Sequence, residues 1–198
     1  DHLKGIGDLA FAGCPLRGSI ILPEGLKHIG SDVFGAYGHR PNNLTGELYI
    51  PSSVEYIGNN VFGGYDGQLC YISGEVVLPR EMKFLGNAFF NCPRLTGTIR
   101  IPDGLTELYN FAAPNMTGDV IIPQGVKKVN GIGGQPSSIY FPEGVEEIGT
   151  LWSFDFYYCF LAYKDTPLRF LKGDLKLPST LKKIGDAAFY GANISHVN

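Results

Sequence analysis

The sequence predicts a mainly β fold, a solenoid of about seven coils with short parallel strands and little regular helix. Two observations carry this prediction: an apolar-x-apolar-Pro signature recurs along the 198 residues, and apolar residues recur at fixed distances after its prolines. A third is the content of 27 glycines and 13 prolines, which suits many short elements joined by turns.

The signature prolines anchor the repeat. They are Pro23, Pro51, Pro79, Pro102, Pro123, Pro142 and Pro178, and they are spaced by 28, 28, 23, 21, 19 and 36 residues. Most spacings fall in or near the range of about 20–29 residues that is typical of leucine-rich repeats. The two apolar residues alternate with an outward one, which indicates a strand with one buried face, and proline ends that strand because it has no N–H. We expect one such strand per coil, for example Leu48–Ile50.

Fixed positions after each proline predict the core. The third residues are Leu26, Val54, Met82, Leu105, Val126, Val145 and Leu181, and the sixth are Ile29, Ile57, Leu85, Leu108, Val129, Ile148 and Ile184. The seventh is usually glycine, at Gly30, Gly58, Gly86, Gly149 and Gly185, where we expect a positive φ. Tyr109 replaces it in one coil and predicts strain or a different turn. A phenylalanine follows in most coils, at Phe34, Phe62, Phe89, Phe111 and Phe189, and should fill the widest part of the coil.

The whole chain, 1–198, is interpreted as a single leucine-rich-repeat solenoid domain. Residues 1–18 form a partial first repeat, and residues 160–170 are predicted to be an aromatic insertion that leaves the solenoid. Because the chain begins at Asp1 in the middle of a repeat, we expect it to be a piece of a longer precursor whose targeting segment is missing.

The segment from Leu44 to Phe62 reads L-T-G-x-L-x-I-P-x-x-V-x-x-I-G-x-x-x-F. This pattern resembles the BspA-type leucine-rich-repeat family of bacterial surface proteins, and the resemblance extends over nearly the whole chain. It implies an extracellular solenoid on a bacterial cell surface that adheres to host matrix proteins or to other cells. The family supplies no fixed binding residues.

Composition and motifs argue against several classes of function. A net charge of −3 and a pI of about 5.8 do not favour nucleic-acid binding. The sequence also lacks the run of 18 or more apolar residues that would predict a membrane span. The sequence has no HExxH, CxxC or GxSxG motif. We therefore predict no catalytic residues, no metal, no cofactor and no enzymatic activity.

Charged residues alternate in sign from coil to coil at the fourth and fifth positions after each proline. Lys27, Glu55 and Lys83 begin this alternation, and Glu146-Glu147 and Lys182-Lys183 continue it. Stacked coils would place opposite charges on neighbouring strands, which is favourable. We prefer this interpretation to a catalytic carboxylate pair at Glu146 and Glu147.

A row of mostly large side chains occupies the outward position of each signature strand. This outward row consists of Ile21, Tyr49, Val77, Arg100, Ile121, Tyr140 and Lys176. A purely solvating face would not carry so many apolar groups, and Tyr and Arg are enriched where proteins bind partners. The row is therefore the predicted binding site; the alternative is that these residues are strand formers packing on one another along the sheet.

The stretch from residue 152 to 170 is a second candidate site because it is rich in aromatic residues, among them Trp152, Tyr157, Tyr158 and Tyr163. Such side chains can bind sugars or a protein partner, although a long loop more often packs its aromatics on its own scaffold. The leading functional hypothesis is a non-catalytic adhesion module that binds a host matrix or cell-surface protein. The alternative is a carbohydrate-binding surface module.

The cysteines predict buried thiols. Cys14, Cys92 and Cys159 share one repeat position with three repeats between successive members, so they should lie roughly 15 Å apart and cannot pair with one another. Cys70 lies one repeat before Cys92 but later in its coil, so this alignment does not favour a bond between them, without ruling one out.

Overall fold

The computed structural model describes residues 2–35, 43–63, 69–89, 92–109, 112–149 and 167–198. It is a parallel β-solenoid of about seven turns with essentially no helix, which confirms the predicted fold. The helical structure within the described residues is a 3-10 helix at Pro167–Phe170.

The described strands are numbered along the chain and fall into two rows. The short-strand row consists of β1 (Gly5–Ile6), β3 (His28–Ile29), β5 (Tyr56–Ile57), β7 (Phe84–Leu85), β9 (Glu107–Leu108), β11 (Lys128–Val129), β13 (Glu147–Ile148) and β15 (Lys183–Ile184). The long-strand row consists of β2 (Arg17–Ile21), β4 (Asn43–Tyr49), β6 (Gly74–Glu75), β8 (Leu95–Thr96), β10 (Ala112–Ile121), β12 (Gly133–Tyr140), β14 (Lys172–Leu175) and β16 (Asn193–Val197).

The long-strand row contains the strands that the signature predicted, because most of them end shortly before a signature proline. Its strands pair in parallel as β2–β4, β6–β8, β10–β12 and β14–β16. The expectation of one strand per coil is wrong, since the fifth and sixth residues after each proline form a second, two-residue strand. These short strands make two four-stranded parallel sheets, β1-β3-β5-β7 and β9-β11-β13-β15.

The predicted core positions that the structure describes are buried except in the last coil, where Leu181 and Phe189 are partly buried; Phe111 lies outside the described residues. The sixth-position residues from Ile29 to Ile148 are at most 1% exposed, and the third-position residues from Leu26 to Val145 are equally buried. Phe34, Phe62 and Phe89 form a stack with ring centroids 5.6 and 5.5 Å apart. Ile184 is 47% exposed because it lies in the last described coil, which is covered on one side. Neighbouring coils thus supply the burial that no single coil could supply for itself.

The seventh-position glycines do not have the predicted positive φ. They are required instead by close contact between coils: a Cβ on Gly58 would lie 2.6 Å from the backbone nitrogen of Ser31, and one on Gly86 would lie 2.8 Å from the carbonyl carbon of Gly58. The left-handed turn comes two residues later, at Asp32, Asn60 and Ala187, with φ of 56°, 50° and 51°.

Tyr109 is also free of the predicted backbone strain, since its φ is not positive. Its position marks the boundary between the two short-strand sheets, because β7 is the last strand of one sheet and β9 the first of the next. The Tyr109 ring lies on Phe84 with a centroid distance of 5.9 Å and a tilt of 47°. Tyr109 has a side chain at the position where other coils need a glycine for close contact, and this explains the break between the two sheets.

Candidate binding face

The outward row lies on the solvent side of the long-strand row. Ile21 is 79% exposed and Val77 70%, and the adjoining row members Tyr49, Ile121 and Tyr140 are about half exposed or more. Arg100 and Lys176 are exposed as well. All seven predicted side chains therefore share one surface, which the alternating pattern of the signature strand explains.

Strand pairing places some members of the outward row side by side. Ile21 pairs with Tyr49, and Ile121 pairs with Tyr140. Ile21, Ile121 and Tyr140 are each flanked by buried residues, for Ile121 by Val120 and Ile122, both 1% exposed, and Tyr49 lies between the partly buried Leu48 and the buried Ile50. The side chains that point outward are thus fixed in position by neighbours that point into the core.

The pairing is weaker in the middle of the row, around Val77. Among the described residues, pairing between β4 and the next coil is reduced to a bridge between Glu47 and Ser73, and the β6–β8 ladder ends at Glu75 and Thr96, before Val77 and Arg100. The backbone segments that carry these outward side chains therefore continue beyond the paired part of the sheet.

Two depressions open where the pairing ends, one on each side of Val77. The first, of about 440 Å³, lies between Tyr49 and Val77, and the second, of about 470 Å³, lies between Val77 and Arg100. Both share Val77, Leu78 and Arg80 in their walls, so they form neighbouring parts of one concave surface. Concave, largely apolar surfaces with a few polar groups are the usual form of binding sites.

Polar groups line the edges of this surface. The Tyr49 hydroxyl donates a hydrogen bond of 2.7 Å to the Glu24 carboxylate, and this bond raises the pKa of Tyr49 above its usual value. Arg80 forms an ion pair of 2.8 Å with Asp103. Arg100 has no ion pair or hydrogen bond within the described residues, so its guanidinium is available to an acidic group of a ligand.

The Asp119 carboxylate lies near the Ile121–Tyr140 end of the row. It accepts hydrogen bonds from Ser137 at 2.7 Å and Ser138 at 2.8 Å, and these bonds lower its pKa. Its charge is therefore fixed in place at neutral pH by the neighbouring strand.

The short-strand row carries a second set of surface side chains, at positions where the sequence pattern indicated only alternating charges. His28, Tyr56 and Phe84 stack with centroid distances of 4.3 and 4.6 Å. The residues were visible as the fifth residues after three successive prolines, which is the signal that could have identified the stack. Because each ring covers the face of the next, mainly their edges remain for a ligand, so this aromatic stack is poorly suited to stack on sugar rings.

The predicted alternation of charge is present beside this stack. Lys27 and Lys83 both donate to Glu55, and Lys182 and Lys183 pair with Glu146 and Glu147 at 2.7 and 2.8 Å. The two lysines lower the pKa of Glu55 to about 2. Glu146 and Glu147 are therefore members of a charge ladder, as the sequence predicted.

A comparison with protein-family models matches the chain to the BspA type leucine rich repeat region in six copies, over residues 1–116, 35–159 and 135–198. The chain belongs to the BspA-type leucine-rich-repeat family. Neither the curated proteins nor the solved structures contain a match to it. Membership in the BspA-type family supports a repeat protein that interacts with other proteins, and repeats of this family are typically non-catalytic scaffolds.

The second candidate site of this BspA-type chain, with Trp152, Tyr157, Tyr158 and Tyr163, lies outside the described residues. The end of the predicted insertion at 160–170 is described. There, Leu168 is 2% exposed within the core and Arg169 lies over the Phe170 ring at 4.6 Å. Leu168 is therefore part of the solenoid core, although the predicted insertion extends to residue 170.

No three His, Cys, Asp or Glu side chains approach one another as metal ligands in the described part of this BspA-type solenoid. Nor does the described chain include a helix of the length and apolar character that a membrane crossing requires.

Proposed function

We propose that this chain is a non-catalytic adhesion module on a bacterial cell surface, and that its outward row binds an extended segment of a host matrix or cell-surface protein. The observation that carries the proposal is the concave surface around Val77. Its two depressions connect Tyr49 to Arg100 and leave space for side chains of a partner.

The chemistry of this surface indicates what the partner segment should contain. Ile21, Val77 and Ile121 offer apolar contact at exposures of 69–79%, so the segment should present apolar side chains. The exposed Arg100 favours a carboxylate at the matching position, since an Arg–carboxylate pair can form two parallel hydrogen bonds. An extended segment fits a row whose side chains lie on successive coils.

The test is a binding assay of the purified chain against a panel of extracellular-matrix and cell-surface proteins, with an Arg100→Glu variant alongside. We expect binding to at least one panel member, and loss of most of that binding in Arg100→Glu. The matched control is Lys172→Glu, which makes the same change of charge at another exposed position in the long-strand row. Equal binding by parent and Arg100→Glu would contradict the use of this surface.

The carbohydrate-binding alternative remains a prediction with its own test. Tyr49 and Tyr140 are 49% and 55% exposed, and exposed tyrosine rings can contact sugars. A glycan array probed with the parent chain and with Arg100→Glu separates the two hypotheses. Binding to glycans that survives in Arg100→Glu, with no binding to the protein panel, would favour the carbohydrate module.

A further inference from the structure

Two buried thiols on adjacent coils lie close together, a few residues before the paired strands β6 and β8. Cys70 is 1% exposed and Cys92 is fully buried, and the Cys70 thiol lies close enough to Cys92 to contribute to the raised pKa of the Cys92 thiol. Neither is in a disulfide in this structure. Their contact is a second feature of the middle coils, and it does not depend on what the outward row binds.

Strand register explains why the two cysteines meet. Cys70 lies four residues before Gly74 and Cys92 lies three residues before Leu95, and Gly74 and Leu95 are partners in the β6–β8 ladder. The next residues along the chain confirm the proximity of the two segments, since the Arg94 guanidinium lies 5.0 Å from the centre of the Tyr71 ring.

Counting residues forward from the preceding signature proline does not reveal this contact, for a physical reason. Counted forward, Cys70 is the nineteenth residue after Pro51, whereas Cys92 is the thirteenth after Pro79. Counted back from the next signature proline, they are nine and ten residues away, a difference of one. The coils differ in length upstream of the cysteines, so the strand that follows them sets their position.

We propose that Cys70 and Cys92 form a disulfide bond that joins two adjacent coils when the chain folds in an oxidising environment. Neighbouring parallel strands lie about 4.8 Å apart, and a shift of one residue along a strand adds an offset of about 3.3 Å, so the two Cα atoms should lie roughly 6 Å apart, within the roughly 4.4–6.8 Å that disulfides span. A bond can therefore form here without a rearrangement of the coils. A covalent link would also reinforce the contact between these two coils, since β6 and β8 pair over only two residues each.

The chemistry requires an oxidant, and we assign that role to a disulfide donor, either an oxidoreductase disulfide or oxidised glutathione. A thiolate of one cysteine attacks the donor disulfide and forms a mixed disulfide. The thiolate of the second cysteine then displaces the donor sulfur as a thiol. The chain loses two protons and two electrons, and the donor disulfide is reduced to two thiols.

The buried state of the pair determines when this reaction takes place. Burial, together with the neighbouring Cys70 thiol, raises the pKa of Cys92 well above its usual range, so the folded stack contains little thiolate. The bond should therefore form during folding, before the coils close over both sulfurs. In the folded, reduced chain the same two thiols should resist oxidation and alkylation.

The test refolds the full chain from denaturant in a glutathione redox buffer and, in parallel, with excess reductant. Free thiols are then blocked under denaturing conditions and the peptides are mapped by mass spectrometry. We expect a linked peptide pair containing Cys70 and Cys92 in the oxidised sample, and a melting temperature about 5–10 °C above that of the reduced sample.

Two variants serve as controls for this experiment. Cys14→Ser/Cys159→Ser should retain the linked peptide and the difference in melting temperature, whereas Cys70→Ala/Cys92→Ala should lose both. Because oxidised and reduced samples of one protein are compared, a general loss of stability in a variant does not affect the conclusion. Four alkylated cysteines after oxidative refolding, or a bond that involves Cys14 or Cys159, would overturn the proposal.

Discussion

Gly58 lies directly against Ser31 of the preceding coil, at a distance where a Cβ would lie 2.6 Å from the Ser31 backbone nitrogen. The neighbouring atom belongs to the backbone and cannot rotate away. Gly58→Ala should therefore push two coils apart and lower the free energy of unfolding by about 1–3 kcal/mol or more. Chemical denaturation of the purified variant measures this loss.

Gly7 provides the matched control for that substitution. It has the same place in the repeat, but a Cβ there would have no neighbour within 4 Å. Gly7→Ala should leave stability close to that of the parent chain. Equal losses in the two variants would show that close contact between coils is not the reason for these glycines.

Ile57 and Ile184 allow a similar comparison within the core. They share the sixth position after a signature proline, but Ile57 is fully buried and Ile184 is 47% exposed. Ile57→Asp buries a charge without a partner and should cost more than ~4 kcal/mol, enough to prevent folding of the surrounding coils. Ile184→Asp should remain folded. Circular dichroism melts of both variants check this, and a cooperative melt for Ile57→Asp at the parent temperature would be incompatible with the stacked core.

Glu55 should make stability depend on pH between about 4.5 and 2. Its pKa falls from a normal value of 4.5 to about 2 in the folded chain, because Lys27 and Lys83 both donate hydrogen bonds to its carboxylate. A lowered folded pKa means that the stabilisation is fully present above pH 4.5 and is lost as the pH falls towards 2. Glu55→Gln should melt below the parent at pH 7, and the gap should close over that range.

Glu47→Gln is the control for the pH experiment. Glu47 is exposed and makes no ion pair within the described residues. The melting temperature of Glu47→Gln should therefore be nearly equal to that of the parent chain at every pH. If Glu55→Gln and Glu47→Gln give the same pH profile, the Lys27–Glu55–Lys83 ladder contributes nothing measurable.

The outward row should be separable from the charge ladder by mutation. Replacing Tyr49 and Tyr140 with Ala should change melting little, since both side chains are about half exposed, and should weaken partner binding by ~2 kcal/mol, about 30-fold. Glu146→Gln should do the reverse, with slightly lower stability and unchanged binding. Titration against the partner found in the panel, combined with melting curves, measures both effects.

Two further variants complete this experiment. Tyr190 is 56% exposed but lies outside both strand rows, so Tyr190→Ala controls for the loss of any exposed tyrosine. Replacement of Tyr157, Tyr158 and Tyr163 with Ser tests the aromatic segment. Loss of binding in that triple variant, with full binding in the Tyr49/Tyr140 variant, would move the site from the outward row to the aromatic segment.

The sequence predicted the parts of this fold that repeat with a strong chemical pattern. Alternation before Pro51 or Pro123 identifies a strand and its outward residue, and the burial of Ile57 or Val129 follows from a constant spacing. The second strand row was missed because two residues, such as Tyr56–Ile57, are too few to show a period. A recurring glycine likewise does not reveal whether it is needed for a positive φ or for the absence of a Cβ.

Features that depend on the distance between coils were beyond sequence reasoning. The depressions beside Val77 arise where the β6–β8 pairing ends, and nothing in the residues Val76–Val77–Leu78 differs in kind from Val120–Ile121–Ile122. The contact of Cys70 with Cys92 depends on a difference in coil length. Both features depend on the distance between two neighbouring backbones, and the sequence of a single coil does not specify that distance.

The break between the two short-strand sheets at Phe84 and Tyr109 has a mechanical consequence. A tensile load along the solenoid axis passes in series through the contacts between coils, so the interface with the fewest backbone hydrogen bonds bears it least well. At this break the backbone pairing between β7 and β9 is replaced by a tilted contact of two rings. Under such a tensile load we expect the chain to extend in two steps, with the stack dividing at Tyr109 before either half unravels.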